Sequence, residues 1–183
     1  MMRPRPLCLA AVLLSGTLPA PVAGQSGPWW EVGVEGGALR FTCDICATER
    51  DVGRSYHVAA GLWAPSRLAV GLEAGWWRHR DDDIQERVYR LGVVGRVHPR
   101  PENGLHALAG VGWVGYRAGD FTYDGLKLSL GVGWDLPLAD RLVVGNRLTL
   151  DAASFGTLFN GDERVVGDVS VSLVRFTVLV GYR

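Results

Sequence analysis

From Trp30 onward the sequence alternates apolar and other residues in segments of about ten, each followed by a polar break. One alternate set runs Trp30, Val32, Val34, Gly36, Ala38. The next are Tyr56, Val58, Ala60, Leu62, Ala64 and Leu68, Val70, Leu72, Ala74, Trp76. Then come Tyr89, Leu91, Val93, Gly95, Val97 and Leu105, Ala107, Ala109, Val111, Trp113. The last three are Leu126, Leu128, Leu130, Val132, Trp134, then Leu142, Val144, Asn146, Leu148, Leu150, and finally Val174, Phe176, Val178, Val180, Tyr182. A repeat of two, not 3.6, is the signature of strands with two unlike faces. None of these positions is charged and only Asn146 is clearly polar. The pattern predicts eight strands and an all-β fold.

The breaks alternate in length. Pro65–Arg67, His98–Gly104 and Pro137–Arg141 read as short turns, and Phe41–Ser55, Arg78–Glu86, Arg117–Gly125 and Ala152–Asp168 as four longer loops. Short turns interleaved with longer loops predict an antiparallel up-and-down meander with an even strand count and both ends on the short-turn side. The second face decides what such a barrel sits in. Its positions run Glu31, Gly33, Glu35, Gly37 in the first strand and Lys127, Ser129, Gly131, Gly133 in the sixth, and twelve of its thirty-two clearest positions are glycine. A solvated exterior would carry Lys, Glu, Thr and Gln. Glycine is tolerated where space is tight, as in the lumen of an eight-stranded barrel. The glycine face is therefore expected to point in and the aliphatic face outward into lipid. A soluble, lipocalin-like carrier is the competing reading. Two aromatic belts fit the lipid reading: Trp30, Trp63, Trp134 and Tyr182 beside the short turns, and Tyr56, Trp76, Trp77, Tyr89, Trp113 and Tyr116 toward the longer loops.

The first residues form a separate unit. Arg3 and Arg5, the apolar run Leu7–Leu18 and the small residues of Pro19–Gly24 have the layout of a secretory signal, so residues 1–24 are expected to be a signal peptide and 25–183 the barrel domain. That run is too short to span a bilayer as a helix, and Cys8 lies too early to be a lipid anchor. Of 19 basic and 19 acidic residues, removal of Arg3 and Arg5 leaves 17 against 19. A net charge of about −2 gives no basic surface for nucleic acid.

With this pattern the chain resembles the small eight-stranded outer-membrane β-barrel proteins, of the OmpA transmembrane-domain and OmpX type. The last strand, Phe176-Thr177-Val178-Leu179-Val180-Gly181-Tyr182-Arg183, looks like the terminal signal read by the barrel-assembly machinery. Phe176, Val178, Val180 and Tyr182 are its apolar positions, and since Arg183 follows, Tyr182 takes the place of a terminal aromatic. The resemblance implies a location in the bacterial outer membrane, with lipid, lipopolysaccharide, the assembly machinery and periplasmic chaperones as partners.

The inward charges are Glu31, Glu35, Glu73, Arg90, Arg96, Lys127, Arg147 and Arg175. The first expectation is a salt-bridge network filling the lumen; a narrow polar pore is the alternative. Cys43 and Cys46, in the first long loop, are a candidate disulfide in an oxidising compartment. A metal site with His57 or His79 is a second reading, though two cysteines alone are a weak zinc signal. Asp81-Asp82-Asp83 with Glu86 reads as a solvated acidic tip and lacks calcium-loop spacing. A lipid-modifying barrel enzyme would need a histidine with a serine or acid at the outer rim, and His57 with Ser55 or Ser154 is the nearest arrangement, His106 lying at the opposite end. No Gly-x-Ser-x-Gly motif occurs. The expectation is a non-enzymatic barrel with no cofactor, serving envelope structure or surface recognition, with Phe121, Tyr123, Phe155 and Phe159 as loop aromatics for adhesion.

Overall fold

The computed structural model describes residues 27–42, 51–64, 67–81, 84–99 and 104–183, and of Asp81, Phe155 and Asp168 the backbone only. The expected signal peptide, Cys43, Cys46, Asp82 and Asp83 lie outside the described residues. Eight strands follow in order: β1 Pro28–Thr42, β2 Asp51–Trp63, β3 Leu68–Asp81, β4 Ile84–Val97, β5 Leu105–Ala118, β6 Phe121–Pro137, β7 Leu142–Asn160 and β8 Glu163–Tyr182. Each pairs antiparallel with its neighbours, and β8 returns to β1, closing the barrel. Closure leaves no unpaired edge, the condition for a sheet to cross lipid.

The two faces fall as the alternation predicts. Leu126, Leu128 and Leu130 are 67%, 51% and 55% exposed on the outer wall, while Lys127 and Ser129 between them are 3% and 0% exposed in the lumen. The glycines on the inner face answer to crowding. A Cβ at Gly75 would run into the guanidinium of Arg90, and one at Gly71 would meet Trp29 at 2.6 Å.

The longer loops are corrected. β5 and β6 pair up to Ala118 and Phe121, so their connection is the two-residue turn Gly119-Asp120. β7 and β8 pair up to Asn160 and Glu163 around Gly161-Asp162. In both turns the first central residue is a glycine with positive φ, 56° at Gly119 and 61° at Gly161, which suits the tight hairpin. β3 and β4 pair to Asp81 and Ile84. What reads as loop is strand continuing above the apolar band, where the outer face meets water. There the outward residues become polar, as at Arg78 and Arg80 beyond Trp76 of β3, while the inward ones turn apolar, as at Trp77. Tyr123 is accordingly a buried strand residue and no adhesive loop tip, and Phe121 and Phe159 are exposed strand residues beside the turns.

The aromatic belts need the same correction. Trp30, Trp134, Tyr56, Tyr89 and Trp113 are exposed on the outer wall. Trp77 and Tyr116 are buried inside, and Trp63 packs at the lower mouth against the cluster of Trp29, Ala59, Ala69, Val94 and Leu108. Parity is the reason: Trp77 shares the inward phase of Glu73 and Gly75, and Tyr116 that of Gly112 and Val114.

Candidate functional site

The lumen is the place where chemistry-bearing side chains converge. Glu35 on β1 accepts hydrogen bonds from Arg90 of β4, Arg175 of β8 and Ser55 of β2, each at 2.6 Å, and from Thr177 at 3.0 Å. Both guanidiniums also reach Asp151 of β7, Arg175 at 3.0 Å and Arg90 at 3.4 Å, and Ser129 donates to it at 2.7 Å. Two acids and two guanidiniums thus close a ring across the bore. Next to it Glu31 is held by both terminal nitrogens of Arg147, at 2.6 Å each, by Arg96, and by His57 at 2.8 Å. His57 also lies 3.8 Å from Glu35, which links the two groups. Glu73 pairs with Lys127 on the opposite wall.

All of these residues are buried. A buried charge is tolerated when it is paired and hydrogen-bonded. The eight inward charges read from the sequence therefore meet one another, together with two acids the sequence reading passed over. Asp151 and Asp135 lie one alternation step beyond Thr149 and Gly133, past the point where the apolar outer pattern was taken to end. Counting them, five buried acids (Glu31, Glu35, Glu73, Asp135, Asp151) face five buried bases (Arg90, Arg96, Lys127, Arg147, Arg175).

Among the described residues, side chains pack across the lumen toward both ends. Above the charges, Leu39, Trp77, Val88, Val114, Tyr116, Tyr123, Val169, Val171 and Leu173 form an apolar plug. Trp77 donates to the carbonyl of Gly37 at 3.1 Å, and Phe41 meets Tyr116 edge-on at 4.6 Å between centroids. Where plug and charges join, a void lined by Leu39, Arg90, Lys127, Asp151 and others holds about 10 Å³, the least that admits one water. At the lower mouth Arg183 caps Asp135, lies 3.3 Å from His98 and sits over the ring of Trp63. His98 stacks on His106 at 4.8 Å. The last residue after the terminal strand thus turns into the lumen as a counter-ion.

Among the described residues, two donor sets have metal-ligand composition. His98, His106 and Asp135 converge, but Arg183 already supplies the cation there. At the upper rim Asp51, His79 and Glu86 converge, with the ring of His79 bonded to the carbonyl of Val52 and Glu86 accepting from Tyr116. The enzyme candidates are not assembled. His57 is locked between Glu31 and Glu35, Ser55 donates to Glu35 and to the carbonyl of Trp76, and Ser154 lies on the outer wall of β7. His106 is buried at the other end.

On the outer wall, two features stand above one another. A shallow apolar groove of about 820 Å³ is lined by Leu72, Leu91, Val93, Val111, Trp113, Leu126, Leu128 and neighbours. Higher on the wall, arginines face outward at Arg54 of β2, Arg78 of β3, Arg87 of β4 and Arg117 of β5.

No protein-family model and no curated protein matches this sequence. Among solved structures, Neisserial surface protein A (NspA) superposes with a TM-score of 0.64 at 10% identity, over 86% of this chain and 98% of that one. Ail, the attachment invasion locus protein of Yersinia pestis, superposes with a TM-score of 0.51 at 12% identity, over 85% and 96%. At such identity the likeness is one of fold. The chain is similar in architecture to the small eight-stranded outer-membrane β-barrels.

Proposed function

We propose that this chain is a non-enzymatic integral protein of the bacterial outer membrane, exported by residues 1–24, inserted by the barrel-assembly machinery, and serving envelope structure or surface recognition through its protruding upper rim. The observation that carries the reading is the filled bore. A closed barrel with an aliphatic outer band belongs in lipid. A lumen packed, among the described residues, with mutually neutralising charges under an apolar plug favours a structural barrel over a pore or an enzyme. His57, the best candidate for acid–base work, has both ring nitrogens directed at buried carboxylates.

Three measurements test this. Cell fractionation should place the chain in the outer-membrane fraction, with an electrophoretic mobility that shifts only on heating. In planar bilayers the purified barrel should give no discrete conductance steps, and incubation with lipid vesicles should release no acyl chains by mass spectrometry. Acyl release that disappears in His57→Ala would replace this reading with a lipid-modifying enzyme, and steady unitary currents would replace it with a pore.

A further inference from the structure

The upper outer wall carries like charges placed side by side. Strand register pairs Arg54 with Arg78, Arg78 with Arg87, and Arg87 with Arg117, so four adjacent strands each present an arginine in one register row. Like charges directly opposite one another destabilise a sheet. Among the described residues, partial relief comes at one end, where Arg117 reaches Asp124 at 3.3 Å and Arg87 bonds Gln85. Arg54 and Arg78 have no hydrogen-bond or ion-pair partner among the described residues. An outside anion lying against such a row would relieve its repulsion and gain several charge-assisted hydrogen bonds at once.

The position of the row says what that anion is attached to. One outward step below it, about 7 Å along the strand, Tyr56, Trp76 and Tyr89 form a register row of the aromatic belt. Aromatic belts mark the headgroup level, so the arginines stand where lipid phosphates lie. Below the belt, Trp113 leans up over Gly115, where an added Cβ would meet its ring at 2.5 Å. With that indole tilted toward the arginines, the wall beneath it at Val111 and Val93 is left open, and this is the apolar groove. Its size lies within the roughly 300–1,000 Å³ of sites that hold small ligands.

We propose that the outer wall of β2–β6 is a binding site for one phosphorylated, acylated glycolipid of the outer leaflet. Arg54, Arg78, Arg87 and Arg117 take its phosphates, and the groove around Val111 takes an acyl chain. The inference rests on the outer-membrane reading above, with the upper rim on the outer-leaflet side. A planar guanidinium on a phosphate forms paired charge-assisted hydrogen bonds, which a row of them multiplies. Further along the same register row the run is interrupted, with Thr122 on β6 and Phe159 on β7 before Arg164 on β8.

The test is native mass spectrometry of the folded barrel in detergent, titrated separately with bisphosphorylated lipid A, with the same lipid stripped of phosphates, and with inorganic phosphate. One bisphosphorylated lipid should be retained. Arg78→Gln with Arg87→Gln should weaken its retention roughly thirtyfold, and removal of the phosphates from the lipid should have a similar effect. Val111→Trp, which fills the groove, should weaken the lipid without altering the response to inorganic phosphate. Arg164→Gln on β8 should change nothing. Equal retention by the double variant overturns the proposal, as does inorganic phosphate that binds as tightly as the lipid. Each variant is first shown to keep its heat-dependent mobility. A barrel that fractionates with the outer membrane but retains no lipid A defeats this site alone, whereas a chain found outside that fraction defeats the parent reading.

Discussion

The lower and upper halves of this barrel solve opposite problems with one continuous set of strands. Below the row of Tyr56, Trp76 and Tyr89 the barrel is inside out, with aliphatic side chains on the wall and a charge network within. Above it the same strands carry arginine and serine outside and an apolar plug inside, as a water-soluble barrel would. Apart from bulges high in β7 and β8, where Gly156, Leu158 and Val166 take over the inward side, the alternation keeps its phase; the surroundings change, and residue choice on each face follows. β8 shows this in one strand: Val169, Val171 and Leu173 point inward above Arg175 and Thr177, while Ser170 and Ser172 give way outward to Val174 and Phe176. Each half is closed by what the other half excludes.

The deepest difference between the halves lies in how their interiors fail. Glu35 is the acceptor for two buried guanidiniums and two hydroxyls. Glu35→Ala would leave Arg90 and Arg175 with only Asp151 between them, and a buried charge stripped of its partner costs about 3–5 kcal/mol. Urea unfolding in detergent or lipid vesicles should register that loss. Replacing one aliphatic residue of the plug by another of similar volume, as in Leu39→Met, should cost less than about 1.5 kcal/mol. If the two variants unfold at the same urea concentration, the charge ring does not hold the lower half together.

The outer wall gives the next largest contrast. Leu128 faces outward in the middle of the band and Ser172 faces outward above it. Leu128→Arg should cost about 2–4 kcal/mol in lipid, the penalty for a cation near the midplane, while a site near the interface costs about 0–1 kcal/mol, so Ser172→Arg should be nearly silent. Folding free energies in vesicles check the pair. Equal costs would mean that the boundary between the halves is not the membrane surface.

The same boundary explains what could be read from the sequence. Within the band, the aliphatic phase stands out against glycine and charge, so strand number, closure and the inward set from Glu31 to Arg175 were legible. Above it exposed apolar residues such as Val52 and Phe159 are scattered and mark no period, so Arg78 and Arg117 read as loop residues although their register is unbroken. Following the inward phase instead would have led from Thr149 to Asp151, from Gly133 to Asp135 and from Gly75 to Trp77. The meeting of Arg90 and Arg175 at one carboxylate depends on barrel closure, which brings β4 and β8 across the lumen, and no local pattern encodes that. The row of arginines on four strands likewise exists only once register is known.

The smallest effect separates two kinds of glycine. At Gly75 the backbone is ordinary and space is the constraint, since the guanidinium of Arg90 fills the place of a Cβ. At Gly119 nothing lies within 4 Å of an added Cβ, but φ is 56°. The left-handed conformation costs an alanine roughly 1–2 kcal/mol, whereas asparagine visits it more readily. Gly119→Ala should therefore lower stability by about 1 kcal/mol and Gly119→Asn by a few tenths, both read as shifts of the urea midpoint. If crowding were the constraint at the turn, as in the lumen, the larger asparagine would be the worse of the two; that order of costs would show that the Gly119-Asp120 hairpin is limited by space and not by backbone conformation.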